Sequence, residues 1–171
     1  MEKTLKNALS LVTRLYEILG EKQLTVSTAE SCTGGTLGAM LTHPAGASRY
    51  YMGSIVSYAN EIKEALLGVS RDTLKAHGAV SPETCAEMAK GAKKVLGTSL
   101  TVAITGIAGP GGESPEKPQG LVYIATYDGE NVTLTKNLFS GDRATVRLKT
   151  AEKALSMLID AALAYTDTMS V

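Results

Sequence analysis

The stretch Leu24-Thr-Val-Ser-Thr-Ala-Glu-Ser-Cys-Thr-Gly-Gly-Thr-Leu-Gly-Ala-Met-Leu41 combines two kinds of pattern. Five of its first six residues are apolar or β-branched, with Ser27 the exception, and they predict a strand over 24–29. A helix is predicted from about Thr33 to Thr42, before Pro44. A strand that enters a helix through a turn of small residues is a building unit of α/β domains.

Further predicted elements alternate along the rest of the chain. The predicted helices are 5–19, 61–67, a short helix capped by Ser70 that ends at Gly78, a helix from Pro82 to about Leu96 capped by Ser81, and 143–164. The predicted strands are 52–58, 99–105, 120–127 and 132–139. The segment Asp128-Gly-Glu-Asn131 between the last two strands is typical of a hairpin, so the sheet is expected to be mixed. We therefore predict one α/β domain over residues 1–171, an α/β/α layered domain with a mixed sheet.

Composition excludes several classes of protein. The chain has 171 residues, with 17 Lys and Arg against 17 Asp and Glu, so no nucleic-acid or membrane-surface partner is expected. No apolar run approaches the roughly 20 residues that span a bilayer, and Met1–Asn7 lacks the pattern of a secretory signal. Two cysteines, Cys32 and Cys85, supply neither a disulfide framework nor a zinc quartet. A cytoplasmic protein without a metal is expected.

Ser31 is the first candidate for catalysis. It lies at the predicted strand-to-helix junction, where unpaired backbone N–H groups converge and can hold the oxyanion formed when a serine attacks a carbonyl. The alternative is a serine that only caps the helix. Cys32 is either a rival nucleophile or a small buried residue. The two histidines, His43 and His77, have positions typical of a turn and of a helix end, so a serine–histidine pair has few candidates.

Lys63 is a candidate base for such a serine. A lysine activates a serine if its amine is neutral near pH 7. We expect Asn60 to cap the helix whose first turn contains Lys63, and both the helix dipole and burial would lower the pKa of the amine there. Tyr58, at the end of a predicted strand, would relay a proton or align the amine. The alternative is a solvated lysine on a helix surface.

Two further segments suit an anion. Residues 104–112 lead a strand into a Gly-rich loop whose amides can approach a phosphate, although the sequence matches neither a P-loop nor the dinucleotide fingerprint. Arg143 and Arg147 lie one helical turn apart, and a guanidinium fork suits a phosphate. The alternative is a helix capped by Asp142 with solvated arginines.

These segments together resemble the C-terminal domain of the competence/damage-inducible CinA proteins, whose stand-alone members are nicotinamide-nucleotide amidases. The similarity extends from about residue 5 to 165 and rests on five motifs. They are Thr28-Ala-Glu-Ser-Cys-Thr-Gly-Gly35, Ser57-Tyr-Ala-Asn-Glu-Ile-Lys63, His77-Gly-Ala-Val-Ser81, Thr105-Gly-Ile-Ala-Gly-Pro110 with Lys117-Pro118, and Phe139-Ser-Gly-Asp-Arg143.

The resemblance implies hydrolysis of the carboxamide of nicotinamide mononucleotide to nicotinate mononucleotide and ammonia, without a cofactor, in the recycling of NAD. Carried onto this chain, Ser31 is the nucleophile and Lys63 its base, with Tyr58 assisting. The implied substrate contacts are Ser48, Thr105 and Arg143. The resemblance also implies a homo-oligomer.

The remaining binding groups follow from the expected chemistry. Backbone N–H groups of Thr33, Gly34 and Gly35 are expected to hold the oxyanion, and the loop that begins at Gly106 is expected to help Arg143 hold the 5′-phosphate. Two other functions stay open at this stage. One is a non-catalytic module that binds a pyridine nucleotide and is linked to competence or the DNA damage response, and the other is a DNA partner, which the zero net charge disfavours.

Overall fold

The computed structural model describes residues 2–166, which contain the predicted alternation of helices and strands. The helices are α1 Glu2–Lys22, α2 Thr36–Leu41, α3 Asn60–Leu67, α4 Arg71–His77, α5 Pro82–Leu96 and α6 Arg143–Ala164. The strands are β1 Val26–Glu30, β2 Tyr51–Val56, β3 Leu100–Gly106, β4 Leu121–Tyr127 and β5 Val132–Leu138. A short 3₁₀ turn, Ala47–Arg49, precedes β2. None of the helices among these residues is long and apolar enough to cross a membrane.

The sheet is mixed, as predicted. Its five strands lie in the order β2-β1-β3-β4-β5. The pairs of β1 with β2 and with β3 are parallel, whereas β3–β4 and β4–β5 are antiparallel. The Asp128 carboxylate accepts hydrogen bonds from the amides of Glu130 and Asn131, which closes the predicted hairpin between β4 and β5.

Helices cover both faces of the sheet, which confirms the layered α/β/α architecture. Leu100, Val102 and Ile104 of β3 pack with α1, α2 and α6 in one apolar cluster. The opposite face of β3 carries smaller residues, and its Ala103 packs with α5 in a second cluster. Because side chains alternate across a strand, the pattern of β3 assigns a large-residue face and a small-residue face to the sheet.

Several element ends differ from the predicted ones. The first helix continues past the predicted end at residue 19 to Lys22, and Gly20 lies inside it. A Cβ at position 20 would lie 2.9 Å from the Tyr50 hydroxyl, so glycine leaves room for that side chain. Asn60 is the first residue of α3 and not its cap, which is Ala59 without a side-chain hydrogen bond. Ser70, Ser81 and Asp142 do cap their helices.

The carboxyl ends of β1 and β3 lie side by side, with Glu30 paired to Ile104. The chain that leaves β1 enters α2 on one face of the sheet, whereas the chain that leaves β2 enters the helices of the other face. A crevice forms where neighbouring strands diverge in this way, and ligands of α/β proteins bind at such crevices. The fold therefore directs attention to the loops after β1, β2 and β3.

The contact between α5 and α3 depends on a glycine. A Cβ at Gly91 would lie 1.8 Å from the backbone oxygen of Leu67. Glycine inside a helix ordinarily costs stability, so its presence here is explained by this close approach of two backbones.

We predict that Gly91→Ala destabilises the protein by roughly 1–3 kcal/mol, the range for an overpacked core, although Gly→Ala in a helix ordinarily stabilises. Urea unfolding measures the difference. The matched control is Lys90→Ala, at the exposed neighbouring position of α5, which should change the free energy of unfolding by less than about 0.5 kcal/mol. A Gly91→Ala protein more stable than wild type would refute this packing.

Candidate active site

Ser31 lies in a tight turn that joins β1 to α2. Its amide donates to the Ile104 carbonyl at 3.1 Å, and its own carbonyl accepts the amide of Gly34 at 3.0 Å. The helix was predicted to begin at about Thr33, but α2 begins only at Thr36, so residues 33–35 are not helical. Ser31 therefore does not cap the helix. The left-handed backbone of Gly34 and Gly35 allows this turn. The Ser31 hydroxyl is thus free for a partner outside its own turn.

That partner is Lys63. Its Nζ lies 3.1 Å from Ser31 Oγ, and it donates to the carbonyls of Ser57 at 2.7 Å and of Tyr58 at 3.3 Å. The lysine is 1% exposed, so it is not the solvated residue of the alternative hypothesis. Burial lowers the pKa of Lys63, with the neighbouring Cys32 acting in the opposite direction. No carboxylate among residues 2–166 forms an ion pair with it.

Three oxygen atoms surround Lys63 Nζ: the Ser31 hydroxyl and the carbonyls of Ser57 and Tyr58. A charged amine would donate one hydrogen to each of them. A neutral amine has two N–H hydrogens and one lone pair, so donation to the two carbonyls would leave the lone pair for the Ser31 hydroxyl. The arrangement thus accommodates both protonation states, and burial favours the neutral one.

Cys32 does not compete with Ser31 as a nucleophile near neutral pH. Its thiol is buried, and burial raises its pKa to about 12. His43 is exposed, and His77 lies at the end of α4, with its Nδ1 3.7 Å from Glu83. Neither histidine lines the cavity beside Ser31.

A cavity of about 240 Å³ opens beside Ser31 and Lys63. It lies between the turn after β1, the loop after β2 and the Gly-rich loop after β3. Of the predicted site residues, its walls include Ser31, Tyr58, Lys63, Thr105, Gly106 and Arg143. The structure thus brings together in one cavity residues that are up to 112 positions apart, from Ser31 to Arg143. Among residues 2–166, no group of three or more His, Cys, Asp or Glu side chains could hold a metal ion.

Arg143 and Tyr58 meet at the rim of this cavity. Arg143 Nη2 donates to the Tyr58 hydroxyl at 3.2 Å, and Nη1 donates to the Gly109 carbonyl at 3.0 Å. The Tyr58 side chain is 63% exposed. Tyr58 accepts a hydrogen bond from Lys63 only through its backbone carbonyl. The Tyr58 phenol was predicted to align the amine, but it bonds to Arg143 instead.

The prediction that the amides of Gly34 and Gly35 hold the oxyanion does not agree with the structure. The amide of Gly34 donates to the Ser31 carbonyl, and that of Gly35 donates to the Glu30 carboxylate at 3.1 Å, so neither is available to a substrate. Thr33 is buried outside the cavity walls, and its carbonyl accepts hydrogen bonds from Arg147. A small-residue turn predicts free amides, but this turn uses the amides of Gly34 and Gly35 for hydrogen bonds to the Ser31 carbonyl and the Glu30 carboxylate.

Arg147 is a structural clamp and does not join Arg143 in the cavity. Its Nε and Nη2 donate to the Thr33 carbonyl at 3.0 and 2.6 Å, and Nη2 also donates to Thr36 Oγ1 at 3.0 Å. The guanidinium therefore fastens α6 to the turn that carries Ser31. Helical spacing alone predicts one shared face for the two arginines, and it does not distinguish their partners.

The remaining predicted contacts divide in two. Thr105 donates its hydroxyl to the Ala79 carbonyl at 2.7 Å, which ties the loop before α5 to the cavity wall. At Gly106 a Cβ would lie 2.6 Å from the Leu121 oxygen, so only glycine fits there. The prediction that Ser48 contacts the substrate does not agree with the structure. Ser48 precedes β2, so it lies at the amino ends of the parallel strands, opposite the carboxyl ends of β1 and β3, and it does not line the cavity.

Sequence reasoning missed Glu30 and the backbone carbonyl of Ser57. Glu30 is a fully buried carboxylate at the end of β1, whose five residues are all buried. An acidic residue directly after the predicted strand 24–29 was the signal that the sequence offered for it. The Ser57 carbonyl has no side-chain signal, because its role depends only on where the backbone places it.

Known proteins share both the sequence pattern and this architecture. The family profile of the CinA C-terminal domain matches residues 8–162. A CinA-like protein of Thermotoga maritima is 45% identical over 144 residues, which are 84% of this chain and 35% of that protein. A CinA-like protein of Syntrophomonas wolfei is 46% identical over 150 residues, 88% of this chain and 35% of that protein. The chain thus spans about a third of the length of these curated relatives.

The fold agrees with these matches. The crystal structure of the competence/damage inducible protein CihA from Agrobacterium tumefaciens superposes with a TM-score of 0.88 at 42% identity, covering 90% of this chain and 94% of that one. A CinA superfamily protein from Klebsiella pneumoniae superposes with a TM-score of 0.89 at 31% identity, covering 92% and 99%. With the matching profile over nearly its whole length, this chain belongs to the CinA C-terminal domain family.

Proposed function

We propose that this domain is an amidase that hydrolyses the carboxamide of nicotinamide mononucleotide, with Ser31 as nucleophile and Lys63 as base. The observation that carries the proposal is the 3.1 Å contact between Ser31 Oγ and a buried lysine amine at the wall of a cavity. The substrate comes from the family resemblance. The chemistry of the pair, acyl transfer by a serine without histidine, comes from the site.

The reaction proceeds through an ester of Ser31. Neutral Lys63 takes the hydroxyl proton while Oγ attacks the amide carbon, and the resulting ammonium returns a proton to the departing nitrogen, which leaves as ammonia. Water then attacks the ester with Lys63 again as base, which releases nicotinate mononucleotide and restores the Ser31 hydroxyl. Each proton taken by Lys63 is returned within the cycle, so no cofactor is required.

We assign the oxyanion to the amide of Cys32. This residue follows Ser31 and lines the cavity, and no backbone carbonyl of residues 2–166 accepts from its amide. The neighbouring amides of Gly34 and Gly35 are engaged in the turn. One such donor contributes roughly 3–4 kcal/mol to lowering the barrier.

We assign the 5′-phosphate to Arg143. A guanidinium has five N–H donors, and the contacts with Gly109 and Tyr58 use two of its nitrogens. The Gly-rich segment from Gly109 to Gly112 forms the facing rim and supplies backbone close to the guanidinium. Binding energy from the phosphate would orient the distant carboxamide toward Ser31.

Ser31→Ala is expected to abolish ammonia release from nicotinamide mononucleotide by the purified protein, with the free energy of unfolding within about 1 kcal/mol of wild type. The matched control is Cys32→Ala at the adjacent buried position, which should retain turnover because its thiol is protonated at neutral pH. Wild-type protein that binds the nucleotide but releases no ammonia would indicate a binding module. Full activity in Ser31→Ala would exclude the serine mechanism.

The pKa of Lys63 predicts how stability depends on pH. The folded pKa is lowered, so between it and the ordinary value of 10.5 the unfolded chain binds more protons than the folded one. Stability from this group therefore rises with pH across that window, by at most about 1.4 kcal/mol per pH unit. In Lys63→Met this contribution is absent.

We thus expect the difference in free energy of unfolding, wild type minus Lys63→Met, to increase in favour of wild type as the pH rises from the lowered folded pKa toward 10.5. Urea titrations at fixed ionic strength measure it. Both proteins carry Cys32→Ala, because Cys32 interacts with Lys63 and would not cancel in the subtraction, whereas groups remote from Lys63 do cancel. The same proton makes kcat/KM rise with pH. A pH-independent difference would mean that the amine has an ordinary pKa.

Arg143→Ala should lower kcat/KM for nicotinamide mononucleotide by about ten- to hundredfold. This range corresponds to the loss of one charge-assisted hydrogen bond, which contributes roughly 1.5–3 kcal/mol. The control substrate is nicotinamide riboside, which has no phosphate and whose kcat/KM should change little. Arg147→Ala is a contrasting variant, expected to affect both substrates equally because it acts on the turn. Equal fractional losses for both substrates in Arg143→Ala would remove the phosphate assignment.

A further inference from the structure

We propose that Glu30 is the positioning residue of the site: its carboxylate fixes the turn that holds Ser31 against Lys63. The inference rests on the proposed function for its kinetic part. Glu30 does not line the cavity, so the proposed role is to position other groups. Its effect is on the distance and direction between two groups that do the chemistry.

The Glu30 carboxylate is 0% exposed and is surrounded by donors. Oε2 accepts the amides of Gly35 and Leu37, both at 3.1 Å, and Oε1 accepts the amide of Gly38 at 2.8 Å. The hydroxyls of Thr28 and Ser54 add contacts at 3.3 and 3.4 Å. No basic side chain of residues 2–166 forms an ion pair with Glu30, so hydrogen bonds alone compensate its burial.

These contacts supply the cap that α2 otherwise lacks. The residue at its N-cap position, Gly35, has no side chain to bond the first amides of the helix. Glu30 reaches forward across the Ser31 turn to those amides, where the helix dipole also favours a negative charge. Gly38 permits the approach, since a Cβ there would lie 3.3 Å from Glu30 Oε1 and 2.7 Å from the Tyr51 hydroxyl.

The backbone of Glu30 connects to the other half of the pair. Its carbonyl accepts the amide of Ser57 at 2.8 Å, and the Ser57 carbonyl accepts Lys63 Nζ at 2.7 Å. The Glu30 side chain thus holds the turn that carries Ser31. The Glu30 main chain holds Ser57, whose carbonyl accepts a hydrogen bond from Lys63. Small displacements at this junction change the contact between Ser31 and Lys63 directly.

Replacing the carboxylate by an amide tests this arrangement with little change of volume. Both carboxylate oxygens of Glu30 accept backbone amides: Oε2 accepts those of Gly35 and Leu37, and Oε1 accepts that of Gly38. In Glu30→Gln an NH₂ group replaces one of these oxygens, so a donor then faces a donor. The first turn of α2 has to move to relieve that contact. A shift of about 1 Å in a reacting group can cost about hundredfold in rate.

The experiment compares Glu30→Gln with Glu87→Gln. Glu87 has similar chemistry away from the cavity: it accepts the amide of Ser70 at 2.7 Å and the hydroxyl of Thr73 at 2.6 Å at the start of α4. Three quantities are measured at a temperature where both variants are folded. They are kcat and KM for nicotinamide mononucleotide, the hydrogen-exchange rates of the Gly35, Leu37 and Gly38 amides, and the rate at which a fluorophosphonate labels Ser31.

For Glu30→Gln we expect kcat to fall by about ten- to hundredfold with KM within about twofold, exchange of the three amides at least about tenfold faster, and slower labelling of Ser31. Glu87→Gln should resemble wild type in kcat and in labelling. A role confined to global stability would leave kcat per folded molecule unchanged. Glu30→Gln with wild-type kcat and labelling would overturn the proposal.

The two proposals fail in different ways. If wild-type protein is labelled at Ser31 but releases no ammonia from the nucleotide, the proposed substrate is wrong, and the labelling rates of the two variants still decide the role of Glu30. If ammonia is released equally by wild type and Glu30→Gln, the amidase stands and the positioning role is wrong. If Ser31 of the wild type is not labelled, the exchange rates decide whether Glu30 holds the turn.

Discussion

The site depends on one constraint: the Lys63 amine is buried, and no carboxylate of residues 2–166 forms an ion pair with it. Burial removes water from Lys63 and lowers its pKa, and two backbone carbonyls after β2 take its hydrogens. An ion-paired lysine would stay charged and could only donate. The amine lies 3.1 Å from Ser31 Oγ, and the proposed serine–lysine mechanism rests on this contact.

The topology of the sheet makes this constraint possible. Parallel strands bring the ends of β1, β2 and β3 to one edge, and each contributes one part of the site: the Ser31 turn, the carbonyls that hold Lys63, and the Gly-rich wall. The N-terminal end of α6 closes the assembly from the other direction, with Arg143 at the rim and Arg147 fastened to the turn. Neighbouring arginines one helical turn apart thus have separate tasks, one facing the cavity and one holding the scaffold.

The sequence predicted the layered fold because its patterns are local: β-branched runs, capping residues and a hairpin signal each determine a short segment. Of the predicted site residues, those that follow β1, β2 and β3 at Ser31, Tyr58, Lys63, Thr105 and Gly106 line one cavity with Arg143, whereas Thr33, Gly34, Gly35 and Ser48 do not line it. The sequence did not predict how backbone amides are used. The amides of Gly34 and Gly35 were expected to face substrate, whereas the turn and the Glu30 carboxylate use them. Ser48 was misplaced because it lies before a strand, and only the sheet topology assigns that position to the opposite edge.

The central claim is that neutral Lys63 makes Ser31 a nucleophile that forms an ester with the substrate. The direct measurement is acid quenching of the wild-type protein during turnover of nicotinamide mononucleotide, followed by mass spectrometry of the peptide that contains residues 24–41. We expect an acyl group on Ser31, with one ammonia released for each ester formed. Release of ammonia with Ser31 always unmodified, or an acyl group on Cys32, would exclude Ser31 as the nucleophile.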